Sequence, residues 1–421
     1  MRPFFQIAVT GRCIRRVELY SFVICMFLLS SCNEKNDSGV SKVIVIDPGH
    51  TEVVNLSSFV KGIKYIKLEV LDDFALGPGS IIIKDDLIFY YDFISKVLHL
   101  FDFNGKHINS LSKIGESPEE YKGISIFTIE NNTKTIEIFD ITGMQIVKYK
   151  IPSFEFINQR KVDSYIHLET GLKLGKNKYL ISTEGHLNIF KDYRTNAEFL
   201  LYDSNLVSKV YFDRKYKNEN HNSYFHYGLF MNKIVRNDLG EVLVSVNFDN
   251  TIYKFENEEF NPVFNVVYSN NLGTDNEGLL NMTRKEQFQY FYKSGNFKRL
   301  ASFPHLAINN SNILVINYLF NTKEKFVYQD SFRHYIYIKK SEKFFNASSI
   351  VNDITTFPEK IYLTTFDTYN SDFIYTPWYD KYLVSIFYPA SELKYNENIV
   401  LSTGDSVKFD DNPIILLMEV K

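Results

Sequence analysis

The sequence predicts an all-β fold, and two observations carry this prediction. Short runs of β-branched and aromatic residues, bounded by Asn, Asp, Gly and Lys, recur from Val43 onward, and 37 Phe and 29 Tyr supply much of the apolar mass. Helical periodicity is scarce. The best helix candidate runs from Thr283 to Tyr292, with Thr283 and Glu286 placed as a capping box, and is predicted to be an insertion between strands.

Composition and charge limit the class of protein. Hydrophobic residues make up 45% of the 421 residues and charged residues 23%, with 19 Gly and 11 Pro, which is typical of a globular chain and excludes a disordered or collagen-like one. The formal net charge is −3, and no Lys/Arg-rich run stands out. We therefore predict that the chain does not bind nucleic acid.

The first 32 residues have the layout of a secretory signal peptide. Basic residues precede the apolar run 19–29, which is shorter than the roughly 20 residues that a membrane-spanning helix needs. Small residues and Cys32 follow, and the segment from Leu29 to Cys32 resembles the lipobox of bacterial lipoproteins, in which the cysteine carries lipid. The alternative is a buried N-terminal helix or strand with an incidental cysteine.

This interpretation divides the chain into a signal peptide (1–31), a flexible tether (32–42) after the lipidated Cys32, and a single domain (43–421). The other two cysteines, Cys13 and Cys25, lie in the signal peptide, so no disulfide framework is expected. A membrane is the expected partner of the lipid on Cys32. We expect the cell envelope as the location and prefer the outer membrane, with the periplasmic or surface-exposed face left open.

One strand–turn unit recurs along the chain and narrows the fold class. The segment 96–106 is echoed at 135–144, and both contain Asp-x-x-Gly, with Asp102 and Asp140 separated by 38 residues. Looser copies follow at 197–205, 251–257 and 335–341. Repeats of roughly 40 to 50 residues predict a β-propeller of four-stranded antiparallel blades. A β-sandwich or a two-domain β protein with coincidental hairpins is the alternative.

The chain ends suggest how such a ring would close. The strand at Val43–Ile46 has no partner before it, and the strand at Pro413–Lys421 has none after it. Pairing the two would remove both exposed edges. We therefore predict a ring that closes by pairing the N-terminal and C-terminal strands.

Several segments together resemble a known family. They are 56–68, the turn 101–106, Gly115–Tyr121, 249–253 and 411–417. The chain resembles the six-bladed β-propeller lipoproteins of Bacteroides-type bacteria, which are related in shape to NHL-repeat propellers, and the blade count of six comes from this resemblance. The chain departs from the family pattern at Ser117 and Glu119, which stand at two glycine positions. Ser117 as an N-cap, with Glu120 completing a capping box, predicts one helical turn there.

No motif for catalysis is found. The nine histidines include no His-Glu-x-x-His pattern, and no nucleophile elbow, phosphate loop or dinucleotide fingerprint occurs. Two loops rich in aromatic and polar residues, 221–227 and 369–382, are the candidate binding segments. If they share one face, we expect a shallow mouth for a sugar or peptide formed by His221, Tyr224, His226, Tyr227, Trp378 and Tyr379.

Two classes of function therefore stay open. The leading interpretation is a non-enzymatic module without a cofactor that binds a glycan, a peptide or an envelope protein. The alternative is a metal-assisted hydrolase or lyase of the NHL-like or lactonase-like type, with a divalent metal held in the central channel. Three or more convergent carboxylate, amide or imidazole groups in the channel would favour the enzyme.

Overall fold

The computed structural model describes residues 42–421 with gaps. The gaps are 72–75, 131–133, 163–165, 169, 184, 191–193, 204–205, 214–232, 275–277, 280–281, 283–285, 287–288, 291–299, 321–330, 356, 362, 364–377 and 395–396. Cys32 and most of the helix expected at Thr283–Tyr292 lie outside the described residues. Within the described part, no helix is both long and apolar enough to cross a bilayer.

The described chain begins with three strands that do not pair with one another. They are β1 (Lys42–Ile46), β2 (Glu52–Asn55) and β3 (Val60–Lys67), and a 3-10 turn at Leu56–Ser58 precedes β3. Each of the three joins a sheet whose other strands come much later in the chain.

Blades 1 to 3 follow in chain order, each a four-stranded antiparallel sheet. Blade 1 contains β4 (Gly79–Lys84), β5 (Leu87–Asp92), β6 (Val97–Asp102) and β7 (His107–Leu111). Blade 2 contains β8 (Ile126–Glu130), β9 (Thr135–Asp140), β10 (Gln145–Lys150) and β11 (Phe156–Lys161). Blade 3 contains β12 (Thr170–Gly175), β13 (Lys178–Ser182), β16 (Ala197–Asp203) and β17 (Leu206–Asp213), with the small hairpin β14 (Asn188–Ile189) and β15 (Arg194–Thr195) inserted.

Blades 4 to 6 complete the ring. Blade 4 contains β18 (Ile234–Arg236), β19 (Val242–Ser245), β20 (Thr251–Glu256) and β21 (Glu259–Tyr268), followed by a 3-10 turn at Ser269–Asn271. Blade 5 contains β22 (Ser302–Asn309), β23 (Ile313–Leu319), β24 (Phe332–Ile338) and β25 (Lys343–Val351), with the short β26 (Lys360–Ile361) on its edge. Blade 6 contains β27 (Trp378–Tyr379), β28 (Tyr382–Phe387), β31 (Ile414–Val420) and β3, with a helical turn at Pro389–Glu392 and the hairpin β29 (Asn398–Val400) and β30 (Ser406–Lys408) between β28 and β31. The six blades form a six-bladed β-propeller, as predicted.

The hydrophobic core lies between neighbouring blades. In β31, Ile415 and Leu417 pack in the cluster shared with blade 1, whereas Leu416 and Met418 pack in the cluster shared with blade 5. Successive side chains of a strand point to opposite faces, so a strand covered on both faces needs a continuous apolar run. The uninterrupted apolar sequence of β31 therefore reflects burial by blades on both sides.

The ring closes in blade 6, but the N-terminal strand that closes it differs from the one expected. The C-terminal β31 pairs antiparallel with β3 on one side and with β28 on the other. The strand at Val43–Ile46, expected to pair with Pro413–Lys421, instead lies in β1 and pairs in parallel with β21 of blade 4. Similarly, β2 pairs in parallel with β25 of blade 5. Each of the three N-terminal strands pairs with a different later sheet, and the order of the strands in the sequence does not indicate which sheet each one joins.

One of the five repeat copies belongs to a different strand of its blade. Four copies contain the third strand of a blade, as in β6, whereas the copy at 135–144 contains β9, the second strand of blade 2. Both Asp-x-x-Gly turns are capped as predicted, because Oδ1 of Asp102 accepts from the backbone N of Asn104 and Oδ1 of Asp140 accepts from that of Gly143. The turns that follow β6 and β9 have the same local chemistry. The sequence comparison therefore aligned two strands that occupy different positions in their blades.

The segment Gly115–Tyr121 joins blade 1 to blade 2 and forms a turn in place of the expected helical turn. The capping contact of Glu120 is present, since its Oε2 accepts from the backbone N of Ser117 at 2.8 Å. The fully buried Tyr121 ends the segment, and its hydroxyl donates to the carbonyl of Leu111 at 2.7 Å. One i to i+3 bond forms, from the backbone N of Glu120 to the carbonyl of Ser117 at 2.9 Å, and the backbone N of Tyr121 then donates to the carbonyl of Lys113, so the turn does not continue as a helix.

Removal of residues 414–421 should abolish the cooperative unfolding transition. This deletion takes β31 out of the middle of blade 6 and opens the ring, because β3 then has no strand to join. The control is removal of residues 42–46, which strips only the edge strand from blade 4. We expect the control to retain one sharp transition at a somewhat lower temperature in circular dichroism melts. Similar melts for the two deletions would contradict closure through β31.

Candidate functional site

The predicted binding mouth is only partly described. Four of its residues lie outside the described part of the chain: His221, Tyr224, His226 and Tyr227. Trp378 is half-buried in β27 and packs against the apolar cluster between blades 5 and 6. The hydroxyl of Tyr379 donates to Oδ1 of Asp86 at 2.8 Å, so this side chain joins blade 6 to blade 1. Both aromatic residues have packing roles, and their part in ligand binding stays a prediction.

A different site is formed where the first strands of blades 1 to 4 end. A cleft of about 1150 Å³ opens there and extends between blades 2 and 3 as far as β11. The first strands of neighbouring blades contact one another, which places this opening at one end of the central channel. We call it the blade 2–3 cleft. Its charged lining consists of Lys84, Glu130, Glu137, Lys148, Arg160, Lys173, Lys176 and Arg236.

Blade 2 presents a polar row of side chains to this cleft. The strand register aligns four of them across β8, β9, β10 and β11, namely Thr128, Glu137, Lys148 and Asn158. The next row on the same face is apolar and packs against blade 3, and it contains Ile126, Phe139 and Ile146. The cleft therefore begins where the contact between blades 2 and 3 changes from apolar to polar.

Four charged side chains form an ion-pair network across the cleft. Lys173 of blade 3 places its Nζ 2.5 Å from Oε2 of Glu137 and also contacts Glu130. Lys148 donates to Oε2 of Glu130 at 2.7 Å and lies 3.4 Å from Oε1 of Glu137. Two positive and two negative charges thus neutralise one another and tie blade 2 to blade 3.

Two further side chains extend this network. The hydroxyl of Tyr179 donates to Oε2 of Glu137 at 2.5 Å, and Nη2 of Arg160 donates to the Tyr179 hydroxyl at 3.3 Å. Arg160 belongs to the outer strand of blade 2 and Tyr179 to β13 of blade 3. The hydrogen bonds therefore run from the wall of the cleft into the buried interface.

The carboxylates of the network stay ionised. Burial alone raises the pKa of Glu137, but hydrogen bonds from Lys173 and Tyr179 and the lysine charges outweigh it, so the pKa lies below its ordinary value. Burial acts in the same way on Glu130, yet its contacts with Lys148 and Lys173 lower its pKa to about 2. Burial lowers the pKa of Lys148, but its contacts with both glutamates leave it raised.

Two cations face the same cleft from the other blades. Lys84 ends β4 of blade 1, and its Nζ donates to the carbonyl of Ile129 at 2.9 Å. Arg236 ends β18 of blade 4, and its Nη2 donates to the carbonyl of Lys173 at 3.0 Å. Both side chains contact backbone oxygens of the neighbouring blades, which fixes their positions at the mouth.

The described residues contain no group of three or more His, Cys, Asp or Glu side chains placed to hold a metal ion. The charged groups that do converge are two carboxylates already paired with lysines. Both carboxylates therefore carry a negative charge that their lysine partners balance.

Comparison with known proteins places the chain in a family. A family model described as "Domain of unknown function (DUF4934)" matches residues 42–419. The chain belongs to the DUF4934 family. The match spans all six blades, so the family is defined by the whole propeller. The sequence matches no curated protein.

One solved structure supports the fold of this DUF4934 chain. A protein of Bacteroides fragilis described as a "Putative exported protein" is 17% identical, covers 90% of this chain and 100% of its own, and superposes with a TM-score of 0.62. A DUF4221 family member of Bacteroides vulgatus is 9% identical, covers 86% and 97%, and has a TM-score of 0.43. At such identities the first likeness shows a shared fold and nothing further.

Sequence reasoning did not find the blade 2–3 cleft. The available signal is a charged residue inside a buried strand, such as Glu137 in Thr-Ile-Glu-Ile-Phe-Asp or Lys173 in Thr-Gly-Leu-Lys-Leu-Gly. Such residues are rarely buried unless they are paired. Recognising the pair requires the strand register and the order of the blades, because the partners are 36 residues apart.

Replacing Lys173 by Met should destabilise the protein by about 3 kcal/mol, because Glu137 loses the lysine that contacts it most closely while staying buried. Urea denaturation at neutral pH measures the loss. Lys150→Met is the matched control, since Lys150 forms an exposed ion pair with Glu155 at 2.7 Å and its loss should change little. Equal effects of the two substitutions would show that the network does not hold blades 2 and 3 together.

Proposed function

We propose that this chain is a non-enzymatic binding module that takes an oligosaccharide in the blade 2–3 cleft. The observation that carries the proposal is the size and chemistry of the cleft. Its volume of about 1150 Å³ exceeds the roughly 300–1,000 Å³ of a pocket for one drug-sized ligand, so it suits several linked units.

The lining matches sugar hydroxyls. The lining includes Asn158 and Asn177, whose side-chain amides add to its charged donors and acceptors. A hydroxyl both donates and accepts, so it pairs with an amide, a carboxylate or an ammonium group. Half-buried apolar side chains of the lining, such as Ile129 and Leu172, provide surface for the faces of sugar rings.

Protonation supports binding over acid–base catalysis. A general acid or base works best when its pKa lies near the working pH. The pKa of Glu130 is about 2, that of Glu137 is lowered, and that of Lys148 is raised. These groups keep a fixed charge near neutral pH and present a constant electrostatic surface to a ligand.

Binding is tested with tetrasaccharides prepared from polygalacturonate and from hyaluronan, each in its native and its carboxyl-reduced form. We expect at least one of the four to bind in isothermal titration calorimetry. Asn158→Trp should weaken that binding about tenfold or more, because the new ring fills the cleft from the exposed end of β11. The control is Ile157→Trp, at the neighbouring residue of β11, which does not line the cleft.

Absence of binding by all four tetrasaccharides, or equal binding by the two tryptophan variants, would overturn the proposal. Thermal melts of both variants establish that each is folded. Both positions are exposed, so neither substitution introduces the new ring into the buried interface between blades.

We also propose that the protein is an envelope lipoprotein held by lipid on Cys32. The basic, apolar and lipobox order of residues 1–32 supports this assignment, and the polar segment after Cys32 suits a tether. A single pair of acyl chains on the cysteine would provide the membrane attachment. The outer membrane is the location that we propose.

Cys32→Ser should release the protein from the membrane fraction of a Bacteroides host and remove its labelling by a fatty-acid probe. Lipid attachment needs the thiol, and serine keeps the size of the side chain while removing the sulfur. Cys25→Ser in the apolar run is the control and should leave both readouts unchanged. A Cys32→Ser protein that stays in membranes with its lipid label would contradict the anchor.

A further inference from the structure

The blade 2–3 cleft is more positive than the protein that carries it. Six cationic and two acidic side chains line the cleft, whereas the whole chain has a formal charge of −3. A local charge opposite to the overall charge concentrates ligands of the other sign and excludes ligands of the same sign. The excess of positive charge in the lining therefore affects which oligosaccharides can bind in the cleft.

The two acidic side chains of the lining are already engaged. Glu130 and Glu137 are paired with Lys148 and Lys173, so these four residues contribute no net charge. The positive excess consequently comes from the remaining cations of the lining. Two of them, Lys84 and Arg236, are held at the mouth by hydrogen bonds to carbonyl oxygens, which carry no formal charge.

Lys84 and Arg236 approach the mouth from different blades and repel each other. Burial lowers the pKa of Lys84 most, the positive charge of Arg236 lowers it further, and Asp85 and Glu130 act in the opposite direction without restoring it. Surrounding protein also lowers the pKa of Arg236, whose side chain is still reached by solvent through the cleft. A ligand with a negative charge between these two cations would relieve their repulsion.

We infer that the blade 2–3 cleft selects oligosaccharides that carry carboxylate groups, and that Lys84 and Arg236 bind the carboxylate. The inference rests on the proposed function and specifies its ligand class. An arginine binds a carboxylate through two parallel N–H groups, whereas a lysine acts as a point charge. Arg236 therefore orients the carboxylate and Lys84 adds attraction.

The test compares each native tetrasaccharide with its carboxyl-reduced form, which differs only by the loss of the charge. Calorimetry should show the native form binding about tenfold or more tighter. That difference should shrink when sodium chloride is raised from about 0.05 M to about 0.5 M, because salt screens the attraction. The double variant Lys84→Gln/Arg236→Gln should bind the two forms equally.

Matched variants separate a site effect from a change in net charge. Lys343→Gln/Lys360→Gln removes two positive charges from exposed positions of blade 5 and should leave the preference intact. Arg236→Lys keeps the charge and should retain part of the preference. A thermal melt verifies that each variant is folded, and Arg236→Lys provides a second measurement if the double variant does not fold.

Three results would overturn the inference. The first is equal binding of native and reduced forms by the unaltered protein, which leaves the proposed function standing if Asn158→Trp still weakens both. The second is a double variant that keeps the preference for the native form. The third is tighter binding of a tetraglutamate peptide through the same two residues, which would assign the cleft to acidic peptides. Failure of every tetrasaccharide to bind would instead refute the proposed function itself.

Discussion

Burial of each sheet between two neighbours is the constraint on which the rest of this structure depends. A four-stranded blade has two apolar faces, and no blade can cover both by itself. In β31, alternate side chains enter the clusters shared with blade 5 and with blade 1. Every blade therefore needs a neighbour on each side, and only a closed ring provides one to all six. The pairing of β3 with β31 makes that closure a hydrogen-bonded one.

The same constraint explains why the cleft lies between blades 2 and 3. Their interface is apolar at Phe139 and becomes polar one row farther, at Glu137. Ion pairs replace apolar contacts in that row, and the cleft opens beside them. The same residues thus link blades 2 and 3 and line the cleft, as Lys173 does.

Sequence reasoning predicted the features that are encoded locally. Strand composition, turn chemistry at Asp102 and Asp140, and the apolar character of 413–421 are read from a few adjacent residues, and together they indicate a propeller. The blade count came from family resemblance. The edge partner of β1 was not predictable, because an apolar strand pairs with any free edge and the sequence does not state which edges are free. The cleft was missed because Glu137 and Lys173 meet only when two blades are stacked.

The strands that precede the ring have a mechanical consequence. Strands β1 and β2 pair in parallel with the outer strands of blades 4 and 5. A force directed along β1 therefore also acts along the strand with which β1 pairs. A force in that direction loads the interstrand hydrogen bonds together in shear, whereas a perpendicular force would break them one after another. Sliding of β1 would also move the buried side chains of Ile44 and Ile46 out of their apolar contacts, which opposes the movement. Tension on the N-terminus is thereby absorbed at the rim of the propeller before it reaches the strand that closes the ring.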